Sequence, residues 1–149
     1  MNQEIENILY RENITLASRL KRAVAAIIDE LLISLVLILA LFDSINQNLT
    51  TQDVILLINS YLLEFSIMKI SYQAFFVMQY GATVGKLIMK IRVVDIKTMD
   101  NPNVVVALNR GIFRVVSQMF LYFGFLWGLL DESRQTWHDK TAKTLVVNV

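Results

Sequence analysis

Cysteine is absent from this chain, and its absence removes disulfides, thiol nucleophiles and thiolate metal sites together. His138 is the only histidine, too little for a zinc site of the usual kind, and its neighbour Asp139 does not make a hydrolase triad with it. Charged residues are scarce at 18%, against about 25% in an ordinary soluble domain. Neither sign dominates, since the net charge is +1, so no nucleic acid or other polyelectrolyte partner is indicated. No nucleophile–base pair, ligand cluster or cofactor motif is present, so no enzyme, metal or cofactor is expected. Gly81-Ala-Thr-Val-Gly85-Lys86-Leu87 imitates a phosphate loop but fails it twice. Its glycines are one residue too close, and Leu87 stands where Ser or Thr would bind magnesium.

What the chain does have is apolar length. Hydrophobic residues make up 55% of it and the mean hydropathy is +0.50, which suits one compact membrane domain over 149 residues. The organising stretch is Arg19–Phe42. Its apolar part, residues 23–42, covers about 30 Å as a helix, the hydrocarbon thickness of a bilayer. It ends without a small-residue cleavage site, so it reads as an uncleaved span. Two acids, Asp29 and Glu30, lie inside it. Arg22 and Asp29 fall on one face, about 10 Å apart along the axis. An ionised Asp29 there costs roughly 2.5–3.5 kcal/mol on insertion scales. It needs a partner, a proton or a wet cavity. Its partner is Arg22, Lys69 or Arg110 if the role is structural; otherwise Asp29 is a protonatable or cation-attracting site. Glu30 points about 100° away, so the two acids are not expected to face the same neighbour.

Two further apolar segments follow, residues 54–78 and 104–130. The first is interrupted by Asn59, Glu64, Lys69 and Gln73, and is either one tilted span or an interfacial piece with a crossing that begins near Tyr61. Glu64 and Lys69 are poorly spaced to pair with each other and can instead wall a cavity or reach the first helix. The segment 104–130 carries Arg110 and Arg114 on one face near its start; its uncharged part, Val115–Leu130, is short for a crossing. Gly124 and Gly128 have a spacing that lets membrane helices approach closely. Residues 1–14 are a polar tail or a short interfacial helix, and residues 15–149 form one domain.

Lys and Arg counts place the N-terminus and the loop 81–103 in the cytoplasm, and the loop 43–53, which has neither, outside. Three crossings would put the tail outside, against its Arg134, Lys140 and Lys143. A third segment that bends back around Gly124 would resolve the conflict. The fold expected is therefore an all-α membrane protein with about three transmembrane or intramembrane segments. A small cytoplasmic two-stranded element joins Ile91–Ile96 to Leu145–Val149, resting on the short helix near Lys86–Lys90 or on lipid headgroups. His138 then belongs either to a hydrogen-bonded edge beside Trp137 or to a proton relay. The tail placement lets Asp139 meet Arg22, Arg110 or Arg114.

Several ordered motifs carry a family resemblance: Arg22-x-x-Ala25-x-x-x-Asp29, Gly81-Ala-Thr-x-Gly85-Lys86, Ile91-Arg92-Val93-Val94-Asp95, Arg110, and Arg134-x-x-Trp137-His138-Asp139-Lys140-x-Ala142-x-Thr144. Over about residues 16–147 the chain resembles the RDD family, named for one arginine and two aspartates, which fall on Arg22, Asp29 and Asp139. Lys90-Ile91 departs from it where the family often has glycine. The resemblance implies a small bacterial inner-membrane protein, with transport, including sodium/proton exchange, suggested for some members. The expected function is transport or coupling of a small cation or proton through Asp29 with Arg22, in an oligomer since three spans make a thin pathway. The alternative is a non-transporting scaffold or accessory subunit whose buried charges set helix packing.

Overall fold

The computed structural model describes residues 3–45, 50–120, 127–128, 130–131 and 133–149. It is mostly helical, with one small antiparallel sheet. Helix α1 (Gln3–Arg11) is followed by α2 (Arg19–Ala40), which begins where Ser18 accepts the Lys21 amide at 3.2 Å. A single turn, α3 (Phe42–Ile45), extends it. The second apolar segment is two helices, α4 (Thr51–Ser60) and α5 (Leu62–Tyr80), bent by 54°. The break lies at Tyr61, the boundary weighed from the sequence. Ser60 there donates its hydroxyl to the Leu57 carbonyl at 2.7 Å, a back-bond that bends helices.

Gly81 ends α5 with φ +67, the left-handed cap that glycine takes without strain, and its carbonyl accepts the Val93 amide at 2.7 Å. Short helix α6 (Val84–Ile88) and strand β1 (Ile91–Asp95) follow. Asn103 caps α7 (Val104–Met119) through the Val106 amide at 2.9 Å. The expected third segment is thus helical over its first part. Gly124 and the proposed bend around it lie outside the described residues. Helix α8 (Trp137–Thr141) and strand β2 (Thr144–Asn148) complete the order.

Strand β1 pairs antiparallel with β2, Ile91 opposite Asn148 and Asp95 opposite Thr144. This agrees within a residue with the pairing expected from the sequence. The other edge of β2 is also occupied: Leu16 bridges Val147, and Ala17 donates its amide to the Val146 carbonyl at 2.9 Å. The support includes the expected short segment, whose Met89 packs on the core formed at one face of the sheet, but extends well beyond it. Alternation gives the sheet two apolar faces. Val94, Leu145 and Val147 pack on Ile5 of α1, so the N-terminal residues are a helix docked on the sheet rather than a loose tail. Ile91, Val93 and Val146 pack with Ala17, which precedes α2, and with Ala25, Val77 and Ala107 from α2, α5 and α7.

The long helices bury polar groups among small and apolar ones and expose large apolar side chains. On α2 the buried residues are Ala25, Asp29 and Ile33, while Ile27, Leu31, Leu35, Ile38 and Leu39 are exposed. On α5 Gln73 and Val77 are buried while Ile67 and Phe75 are exposed. By length and composition α2 can cross a membrane, and the bent α4–α5 pair can form a second crossing.

Candidate functional site: an arginine-lined cavity

Asp29 is fully buried and its carboxylate is filled by hydrogen bonds from three directions. Oδ1 accepts from the Gly85 amide at 2.8 Å and the Tyr72 hydroxyl at 2.9 Å, and Oδ2 accepts from the Thr83 hydroxyl at 2.7 Å. Thr83 stands at the N-cap of α6, yet its hydroxyl goes to Asp29 instead of capping that helix. Close approach makes this possible: a Cβ at Gly85 would lie 2.2 Å from the Ala25 carbonyl oxygen. The cation at Asp29 is Arg114, whose Nη1 is 3.6 Å from Oδ2.

The expected Arg22–Asp29 pair is therefore not formed. The rise of α2 keeps the two side chains at different levels, and α7 delivers Arg114 at the level of Asp29. Lys69 and Arg110, the other partners considered for Asp29, are engaged elsewhere. Arg114 also reaches Glu30, with Nη2 3.4 Å from Oε1. The forked guanidinium spans the angle between the two acids, which corrects the expectation that they cannot share a neighbour. Lys69 binds Glu30 at 2.7 Å, so it does pair with the first helix. Glu64 is exposed and forms no ion pair among the described residues.

Arg22 pairs with Asp139, and the fully buried Arg110 places Nη1 2.6 Å from Asp139 Oδ1. The Asp139 Oδ2 atom also accepts from the Thr136 amide at 3.0 Å and hydroxyl at 2.7 Å, the closure of α8's first turn. Since that hydroxyl gives its proton to Asp139, it accepts one from His138 Nε2, 2.9 Å away. Burial alone would raise the Asp139 carboxyl; Arg22 and Arg110 outweigh it and hold the group well below the usual carboxylate range. Burial, with Arg110 and Arg22 nearby, lowers His138 well below its ordinary value despite the Asp139 charge. The imidazole is neutral at pH 7.

Between these two carboxylate centres lies a cavity of about 180 Å³. Arg19, Arg22, Arg110, Arg114, Arg134 and Lys86 line it, and Asp29 is the one lining carboxylate among the described residues. Arg134 is held at the wall with its guanidinium 3.3 Å from the Ala17 carbonyl oxygen. Arg110 is the telling member: its Nε and Nη2 are buried and have no hydrogen-bond partner among the described residues. Lys86 is half-buried and makes no hydrogen bond or ion pair among the described residues. Burial, then Arg110 and Arg114, push its ammonium down to about 7 against the pull of Asp29 and Asp139. Cations thus outnumber carboxylates in the described lining of the cavity, and the Asp29 carboxylate is already occupied by three hydrogen bonds and the Arg114 guanidinium.

Of the residues singled out in the sequence, the structure brings Arg22, Arg110, His138 and Asp139 together at one end of this cavity, and Asp29 and Arg114 at the other. Lys69 lies behind Arg114, and Glu64 is remote. Sequence reasoning missed Tyr72, Thr83, Gly85, Lys86, Arg19 and Arg134 as site residues. Thr83, Gly85, Lys86 and Arg134 stand in the motifs that carry the family resemblance but without an assigned role there, and Arg19 is visible only as a topology signal.

The sequence model described as the RDD family matches residues 16–143. No curated protein and no solved structure matches the chain.

Proposed function

The chain belongs to the RDD family, and from that premise we propose that it is a multi-pass membrane protein that binds an anion in its arginine-lined cavity. The family is generally membrane-associated, and the inverted polarity of α2 supports insertion, because water would face an uninterrupted apolar surface. With the N-terminus in the cytoplasm, the cavity lies beside the first three turns of α2, at the inner edge of the bilayer. The observation that carries the reading is the gathering of Arg19, Arg22, Arg110, Arg114, Arg134 and Lys86 around one cavity whose described lining holds a single carboxylate, with Arg110 Nε and Nη2 buried and without a hydrogen-bond partner among the described residues. An unpaired buried donor on a charged group is costly, and an oxyanion is the ligand that relieves it. Coupling of a cation or proton through Asp29 has less support, since that carboxylate already accepts three hydrogen bonds beside a guanidinium.

The chemistry recognised is a phosphate-class oxyanion, either free or carried on a lipid headgroup. Calorimetric titration of the purified chain with inorganic phosphate and with dioctanoyl phosphatidylglycerol separates the two sources. Binding of either supports the site. Replacing both rim residues, Arg19→Gln with Arg134→Gln, is expected to weaken it about tenfold or more, about 1.4 kcal/mol. Failure of both ligands to bind, or an affinity indifferent to those changes, overturns the reading.

A further inference from the structure

Lys86 is placed differently from the arginines around it. It sits on α6, whose backbone is pinned to α2 by the Gly85 amide and the Thr83 hydroxyl at Asp29. It lines the same cavity as Arg110 and Arg114 from α7 and Arg22 from α2. The arginines keep their charge under all ordinary conditions, whereas a lysine can shed its own. The carboxylates within reach are already committed, Asp29 to Tyr72, Thr83, Gly85 and Arg114, and Asp139 to Arg22 and Arg110. Neutral His138 on α8 adds no charge, and the Tyr72 hydroxyl from α5 is occupied by Asp29 and the Val84 amide at 3.1 Å. The cavity therefore surrounds Lys86 with like charge, and an anion bound there would supply a counter-charge.

We propose that Lys86 takes up a proton from solvent when the cavity fills, so that anion and proton are bound together. The proposal rests on the anion-binding reading and adds a second cargo to it. No bond other than N–H forms, and the proton leaves again when the anion does. Coupling is reciprocal: whatever anion binding does for Lys86 protonation, protonation does for anion binding. The empty-site ammonium is held down to about 7 by burial and by Arg110 and Arg114, which sets the working range.

The test measures protons taken up on binding by the purified full chain in weak buffer, with sulfate and dioctanoyl phosphatidylglycerol as ligands. Neither ligand titrates between about pH 6 and pH 9, so the count belongs to the protein. If binding restores an ordinary lysine, uptake is about 0.9 proton per anion near pH 8 and about 0.1 near pH 6. The Kd rises about tenfold per pH unit above pH 7. Lys86→Arg is expected to bind without proton uptake at any pH, and Lys86→Gln to bind more weakly and also without uptake. Binding by the unaltered chain with no proton uptake overturns the coupling alone and leaves the anion site standing. Persistent uptake in Lys86→Arg assigns the proton elsewhere and also overturns it. If neither ligand binds, the anion site fails and the coupling with it.

Discussion

The two arginine–aspartate pairings can be separated by paired substitutions at Arg22. Asp139 is fully buried between Arg22 and Arg110, so Asp139→Asn leaves two guanidiniums without their anion. Breaking a buried ion pair from one side costs about 3–5 kcal/mol. Arg22→Gln is milder, about 1–3 kcal/mol, because Asp139 keeps Arg110 and the Thr136 donors. Since Arg22 and Asp139 touch, the double variant should be less damaged than the sum of the singles by about 1–3 kcal/mol. Arg22 and Asp29 share no partner and are separated by about 10 Å along α2, so Arg22→Gln with Asp29→Asn should be additive within about 0.5 kcal/mol. Unfolding of the purified chain in mixed micelles by dodecyl sulfate titration gives all five stabilities against the unaltered chain. Strong coupling of Arg22 to Asp29, with additivity between Arg22 and Asp139, would refute this account of the charge network.

Gly85→Ala places a methyl group against the Ala25 carbonyl oxygen and 2.9 Å from Asp29 Oδ1. Separating α6 from α2 to make room also breaks the Gly85 and Thr83 bonds to Asp29, so a loss of about 3 kcal/mol or more is expected in the same titration, and a loss under about 1 would show the contact to be slack. The pH dependence of melting follows from four groups of one sign. Asp131, held down against partial burial by Lys140 and the Gln135 amide, and Asp139 are below their ordinary 3.8 in the folded chain, so the stability they give is present above 3.8 and lost as pH falls through their folded values. His138 and Lys86 are also lowered, and the unfolded chain therefore binds more protons below 6.5 and between about 7 and 10.5 respectively. Melting temperature should climb with pH from acid to mild alkali, and a maximum near pH 5 would contradict the assignments.

Much of the scaffold was legible because it depends on one-dimensional patterns. The apolar length of α2, the β-branched character of Ile91–Asp95 and Thr144–Asn148, and the caps at Gly81 and Asn103 each carry a local signal. The break at Tyr61 was weakly signalled, since Asn59 and Ser60 are only modest helix breakers. Pairing was less legible. Asp29 and Arg22 lie on one face of one helix, and that proximity suggested a pair that tertiary packing replaces with Arg114 from α7. The Arg22–Asp139 pair, 117 positions apart, is reached from the sequence only through the strand pairing that returns the tail, which leaves Arg22, Arg110 and Arg114 open to Asp139; the structure takes the first two. The N-terminal helix was ambiguous because its few apolar residues, such as Ile5, matter only against a sheet made at the other end of the chain. The cavity was illegible for the same reason: its wall comes from α2, α6, α7 and the α8 turn, and only their assembly collects so many cations.

The placement of Asp139 has a consequence for the order in which the molecule can be built. Arg22 and Arg110 both leave the ribosome before their shared counter-ion, and β2, which seats α8 beside them, is later still. Until the C-terminal segment folds back between Leu16 and β1, the growing chain carries two guanidiniums destined for the interior with nothing to neutralise them. Closing that long loop is slow compared with forming helices, because distant contacts are made only after the entropy of closure has been spent. Residues 137–148 are therefore what lets α2 and α7 close on each other with their guanidiniums neutralised.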